Sequence, residues 1–191
     1  MPEFLRDAVG EQATPETAGA ALAELVPAAR PSRDGARRLL ERASRQPYRY
    51  MPFFDRLGAL WDLSDAELCA ALERSADAAA WRKPLYPGIA LFELDGGPTT
   101  RGAQVKLARF APGLRFPRHR HAGPERVLVL EGAYTDSSGR HVGPGELQTM
   151  EPRSEHALVI DGAEPCVAAL VEYGVEFTSP VLGTLQRWFG R

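Results

Sequence analysis

The stretch Gly113-Leu-Arg-Phe-Pro-Arg-His119-Arg-His121-Ala-Gly-Pro-Glu125-Arg-Val-Leu-Val-Leu-Glu-Gly132 decides the reading of this chain. Residues two apart on an extended strand point to the same side, so His119 and His121 share one face while Arg118 and Arg120 take the other. Ala122-Gly123-Pro124 turns the chain, and Glu125 returns at the start of the next strand. Two imidazoles and a carboxylate brought together in this way suit Zn, Fe, Mn, Ni or Cu. Along the returning strand, Val127 and Val129 continue the inward face of Glu125, and Leu128 and Leu130 point away. That strand is expected to be covered on both sides, by N-terminal helices or by a partner subunit. The outward leucines predict a homodimer unless the helices cover them.

Histidine is scarce, with only four in 191 residues. Besides His119 and His121 there is His156, which follows the turn Gly143-Pro144-Gly145 and is placed to supply a third imidazole to the site. His141 ends Asp136-Ser-Ser-Gly-Arg-His141, a hairpin tip, where a solvated loop histidine is the simpler reading. Tyr134, Gln148 and Glu172 fall where side chains can face a barrel interior, as acid, base or substrate anchor or as packing alone. No residue declares itself catalytic.

Outward from this segment the chain changes character near residue 80. Downstream, strands are expected at Ile89–Leu94, Ala103–Ala111, Arg126–Leu130, Leu147–Met150, His156–Ile160 and Cys166–Glu172, separated by Gly and Pro turns. This spacing suits a sandwich or barrel. Upstream, Ala, Leu, Glu and Arg recur at helical spacing. Ala18–Ala29 can form a helix that Pro27 ends or kinks. Ser32 caps a better one, with Ala36, Leu39, Leu40 and Ala43 on one face. Tyr48, Tyr50, Phe53 and Phe54 form an aromatic anchor between Pro47 and Pro52 or beside them, and Ser64-Asp65-Ala66-Glu67 caps a last helix carrying Leu68, Ala71 and Leu72. The predicted organisation is a helical arm over 1–80, a β-barrel over 81–178 and a C-terminal tail over 179–191.

Composition narrows the function classes. With 44% hydrophobic and 25% charged residues the chain has ordinary globular values. A formal net charge of −2 and a pI near 6.1 argue against a nucleic-acid or membrane-surface role. No apolar run approaches the roughly 20 residues that span a bilayer, and Met1–Gln12 does not read as a secretory signal, so the expected compartment is the cytoplasm. Cys69 and Cys166 form neither a CxxC pair nor a disulfide framework and read as small apolar residues. Gly96-Gly97 is not followed by a nucleotide-binding helix pattern.

The quoted stretch resembles the first cupin motif, G-x5-H-x-H-x3-4-E-x6-G, and matches it from Gly113 through Gly132 at every specified position. The second motif is matched more loosely: Gly143-Pro-Gly145 supplies the turn, Arg153-Ser-Glu-His156 the histidine, and its closing asparagine is absent. The resemblance implies a mainly β fold, a jelly-roll (double-stranded β-helix) barrel, here with an N-terminal helical arm. From Pro84 to Tyr173 the chain is similar to the cupin domain of ChrR-type zinc-binding anti-sigma factors. The similarity lies in Phe116-Pro-Arg-His119-Arg-His121-Ala-Gly, Val129-Leu-Glu-Gly132, Asp136-Ser-Ser-Gly139, Ser154-Glu-His156 and Gly162-Ala-Glu-Pro-Cys166. It implies zinc on His119, His121, Glu125 and His156, with iron the next candidate. The sigma-binding domain of that family carries His-x3-Cys-x2-Cys, and no histidine precedes His119 here. Zinc-dependent sigma sequestration is therefore not expected. The resemblance points to a regulatory or sensory module answering to a small molecule or oxidant in the barrel. The alternative is a metal-dependent oxygenase or lyase/isomerase acting on a small oxygenated substrate.

Overall fold

The computed structural model describes residues 32, 34, 35, 37, 48–84 and 86–178. Contacts divide the chain into two compact units, Met1–Arg42 and Ala43–Arg191. In the first, residues 34, 35 and 37 have helical backbone, and Gly35 N donates to Ser32 Oγ at 3.0 Å, the cap expected from the sequence. The helix expected at Ala18–Ala29, the positions Leu39 and Leu40, and the tail 179–191 lie outside the described residues.

The second unit carries two antiparallel five-stranded sheets. One runs β1 (Ile89–Leu94), β2 (Gln104–Phe110), β9 (Cys166–Glu172), β4 (Glu125–Glu131) and β7 (Leu147–Met150). The other runs β10 (Val175–Phe177), β3 (Arg115–His121), β8 (Glu155–Ile160), β5 (Tyr134–Asp136) and β6 (His141–Val142). The strands expected at Ile89–Leu94, Leu147–Met150 and Cys166–Glu172 form at those bounds. β5, β6 and β10, two or three residues each, were not anticipated, because an alternation needs more residues than that to show.

Side-chain alternation fixes what each face of the first sheet meets. Val127, Val129, Ala168 and Leu170 join Ala108, Tyr134, Val142 and Ile160 in the cluster between the sheets. Leu128, Leu130, Ala169 and Val171 face outward into a second cluster with Tyr50, Leu57, Leu60, Trp61, Leu68 and Leu72. Every residue of β9 is buried, as befits a strand covered on both sides.

That outer cover comes from α1 (Phe54–Trp61) and α2 (Asp65–Arg74), preceded by a 3-10 segment Tyr48–Phe53. α2 begins at a full capping box, with Glu67 N donating to Ser64 Oγ and Ser64 N donating to Glu67 Oε2. α1 ends at Asp62 in the left-handed conformation, φ 57° and ψ 47°. There the helix end touches the β1–β2 loop: Gly97 N donates to Trp61 O at 2.9 Å, and Thr99 N to Asp62 Oδ2 at 2.8 Å. A Cβ on Gly97 would stand 1.9 Å from Asp62 O, so the Gly96-Gly97 pair exists to let the helix end approach. Polar stitches hold the same layer. Trp61 Nε1 and Arg126 Nη2 donate to Leu170 O and Leu60 O, each at 3.3 Å, and Arg49 pairs with Glu131. Leu128 and Leu130, 1% and 3% exposed, are covered by the chain's own helices. They therefore supply no motive for a partner subunit.

Candidate metal centre

β3 and β8 run side by side with His119 opposite His156. His121 lies two residues further along the same face of β3, and β4 starts next door with Glu125. The register of β3 against β8 shifts between Phe116 and His119, a local irregularity just before the histidine pair. The result is that His119, His121 and His156, all buried, place one ring nitrogen each within 4.8 Å of one another. His119 stands edge to face with both other rings, which are tilted to each other, and the centroids are 4.5–5.0 Å apart.

Hydrogen bonding shows what this trio lacks. His119 Nδ1 lies 3.0 Å from Pro117 O, and a carbonyl only accepts, so Nδ1 carries the proton and Nε2 a lone pair. That lone pair faces His156 Nε2 at 3.0 Å. Among the described residues, His156 Nδ1 and both ring nitrogens of His121 have no hydrogen-bond partner. Whichever nitrogen of His156 holds its proton, a buried donor or acceptor is left over, and buried polar groups are seldom left so. A cation shared by the three rings would take one lone pair from each and relieve part of this shortage. Two atoms bound to one ion at about 2.1 Å stand about 3.0–3.4 Å apart, the spacing of the facing nitrogens. The donor set therefore fits a metal ion.

Glu125 stands just outside the trio. Its Oε2 is 3.4 Å from His121 Nδ1 without making a hydrogen bond, a spacing that two atoms on one ion also have. The electrostatics are those of a dry site. Burial pulls the imidazoles of His119 and His156 down to about 4, and that of His121 below its ordinary range. They are neutral at pH 7, as ligands must be. Burial and then the neighbouring Glu172 push the Glu125 carboxyl up to about 8, with Lys106 pulling the other way.

His119 and His156 border a cavity of about 470 Å³ between the sheets. His119, His156, Glu125, Lys106, Glu172 and Tyr134 are its polar or titratable lining, with Arg82 also present; most of the remaining wall is aliphatic or aromatic. Of the interior positions singled out from sequence, Tyr134 and Glu172 line the cavity, whereas Gln148 is buried behind it. The Tyr134 hydroxyl, held protonated by burial, donates to Gln148 Oε1. Gln148 Nε2 donates in turn to Asp136 Oδ2 at 3.0 Å. His141 is exposed, 3.0 Å from Asp161 Oδ2, and takes no part in the site. Cys69 and Cys166 are both free, and burial holds the Cys166 thiol up to about 12.

Sequence reasoning missed Lys106, which is 7% exposed and ion-paired with Glu172 inside the barrel. The signal was present in its phase: Val105 and Leu107 face the helices, so Lys106 and Ala108 must face inward. An inward lysine on a covered strand is rare enough to notice.

A barrel of two antiparallel sheets enclosing a histidine cluster and an apolar cavity defines the cupin class of protein. The profile of the ChrR cupin-like domain matches residues 73–173, and the chain belongs to that family. The anti-sigma-E factor ChrR of Cereibacter sphaeroides is 30% identical over 93 residues, 48% of this chain. The chain spans only 43% of that relative's length. Among solved structures, the Rhodobacter sphaeroides complex of SigE with the anti-sigma ChrR is similar over 82% of this chain and 79% of that one, at 24% identity and a TM-score of 0.48. An acetylacetone dioxygenase from Acinetobacter johnsonii is similar over 60% and 88%, at 14% identity and a TM-score of 0.46.

Proposed function

We propose that this protein is a metal-binding regulatory cupin, in which His119, His121, Glu125 and His156 hold one divalent transition metal. The observation that carries the reading is the convergence of three buried imidazoles, two of which keep ring nitrogens without a hydrogen-bond partner. Imidazole and carboxylate do not select among divalent metals by softness alone. Family membership favours zinc, with iron second. Bound there, the metal supplies a Lewis-acidic centre and a strong crosslink. The residues do the rest. His119 and His121 come from β3 and His156 from β8 in one sheet, and Glu125 from β4 in the other, so ligation by all four joins the two sheets. β4 also carries Leu128 and Leu130 under α1, which gives the metal site a mechanical route to the helical layer. A small molecule or oxidant that alters ligation changes how that layer packs, and this is the sensory device. Sigma binding through a zinc-braced N-terminal domain is not part of the proposal.

The cavity beside the trio favours one second reading, a metal-dependent oxygenase or lyase/isomerase, since a pocket of this size can hold an organic substrate against the metal. Elemental analysis after expression without added metal tests the centre. One metal per chain is expected, and about none in His119→Ala/His121→Ala. An unchanged load in that variant would remove the site assignment. Oxygen consumption by an iron-loaded protein with a diketone or catechol would transfer the case to the enzyme.

A further inference from the structure

At about 470 Å³ the cavity is far larger than the voids that close packing leaves, and its mainly apolar wall offers water few partners. Its aromatic residues lie together. Tyr86, Phe110, Phe116 and Phe177 come from the segment before β1 and from β2, β3 and β10, and they pack ring against ring at 5.6–6.3 Å between centroids. Tyr86 is held against β3 by its hydroxyl, which donates to Arg115 O at 2.8 Å. Phe116 carries the row on to His119, edge to face at 4.8 Å. Apart from the histidine cluster and Glu125, the polar groups of the wall are already engaged. Gln148 Nε2 must face Asp136 Oδ2, an acceptor, so Gln148 Oε1 takes the Tyr134 proton and Tyr134 has no donor left for the cavity. Arg82 Nη2 is paired with Glu93 Oε1 at 2.6 Å. Lys106 Nζ donates to Glu172 Oε1 and, at 2.9 Å, to Gln104 Oε1. An ammonium has three donors, so among the described residues one N–H of Lys106 is unused, on a side chain that water barely reaches.

We infer that the cavity takes an uncharged molecule with an aromatic ring and a carbonyl oxygen, the ring on the Tyr86–Phe116–Phe177 wall and the oxygen on Lys106 Nζ. The volume falls within the ~300–1,000 Å³ of pockets that enclose small organic ligands. A row of rings already packed edge to face favours one more ring over an aliphatic body of the same size. The oxygen is set by the spare N–H, which a carbonyl accepts without bringing a charge of its own. A carboxylate in that place would share one ammonium with Glu172 and press two anions together in a dry wall. Arg82, the other basic residue of the lining, faces a carboxylate of its own and invites no second one. This gives the small molecule of the sensory reading a chemistry. It rests on that reading for what binding does, not for the binding, since no part of it uses the metal.

Calorimetry on the full chain after incubation with zinc tests this, using 4-phenyl-2-butanone, 4-cyclohexyl-2-butanone and 4-phenylbutyrate, with zinc per chain measured in every sample. The phenyl ketone is expected to bind at least ~3-fold more tightly than the cyclohexyl ketone and ~10-fold more tightly than the acid. Phe177→Leu should erase the preference for the phenyl ring. Lys106→Met/Glu172→Gln removes the donor without stranding a buried carboxylate. It should weaken the phenyl ketone ~10-fold and keep the preference for phenyl over cyclohexyl. A damaged barrel would not lose one preference and keep the other. With zinc at one per chain, four results overturn the proposal and leave the metal reading standing: no binding, equal binding of the two ketones, an acid that binds as tightly as the phenyl ketone, or a double variant that binds as the parent does. The expected order of binding in a chain that takes up no zinc supports the proposal and overturns the metal reading.

Discussion

His119 owes its role to a backbone carbonyl: Pro117 O fixes the Nδ1 proton, so Nε2 has no choice but to present a lone pair inward. The same burial that leaves the three rings short of partners makes them reluctant to charge. In the metal-free chain all three sit below their ordinary 6.5, His119 and His156 at about 4. As pH falls through that window the unfolded chain takes up protons first, so stability is lost between 6.5 and about 4. Glu125 acts with the opposite sign. Raised from 4.5 to about 8, it keeps a proton that the unfolded chain has already released, so stability is lost as pH rises from 4.5 to 8. Three imidazoles outweigh one carboxyl below pH 6.5, so melting temperatures of the metal-free protein should peak near ~6.5. With zinc in excess the decline toward pH 8 should disappear, because the metal replaces the proton on Glu125. A metal-free chain whose melting temperature climbs steadily from pH 6.5 to 8 would show that Glu125 is not held neutral.

At the scale of elements, the contact between the end of α1 and the β1–β2 loop joins helix to barrel. Gly97 has φ −74°, which any residue tolerates, so its requirement is steric rather than conformational. Gly97→Ala would place a methyl 1.9 Å from Asp62 O and must push the helix end away. A loss of at least about 2 kcal/mol is expected by denaturant titration. Gly132 is a different case: it ends β4 at φ 62°, and a Cβ there would meet Pro165 O at 2.5 Å, so the last glycine of the motif answers both demands. Trp61 is fully buried under the sheet and donates to Leu170 O. Trp61→Ala should cost about 3–5 kcal/mol and, because coupling between ligation and helical packing is reciprocal, should also weaken metal retention. An unchanged metal affinity on that substitution would show that the helical layer and the metal centre are not coupled and would remove the sensory route.

At the scale of the molecule, α1 and α2 do for the first sheet what a second subunit could have done. Among the described residues the exposed large hydrophobics are Met51, Leu147 and Tyr173, too scattered to form a patch. A chain cut to begin at Trp81 loses Tyr50, Leu57, Leu60, Trp61, Leu68 and Leu72 from the outer cluster. It should bind a hydrophobic dye strongly and self-associate in sedimentation, whereas the full chain should do neither. A truncated barrel that stays monomeric and dye-silent would mean the helices are dispensable cover. No helix among the described residues is long and apolar enough to cross a membrane.

The sequence by itself determined the barrel and singled out the histidines that cluster in it. Alternation over Glu125–Leu130 and Cys166–Glu172 states which side chains face in, and spacings of two and four residues bring His119, His121 and Glu125 together whatever surrounds them. Local rules also gave the Ser64 capping box, whose partners lie three residues apart. Tertiary structure decided everything that depends on residues distant in the chain. The pairing of Lys106 with Glu172 spans 66 residues, and the seat of Gly97 against Asp62 joins a helix end to a loop. Whether Leu128 and Leu130 meet helices or a partner could not be read locally, because both covers demand the same outward leucines. Periodicity reports that a face is buried; only the folded chain says by what.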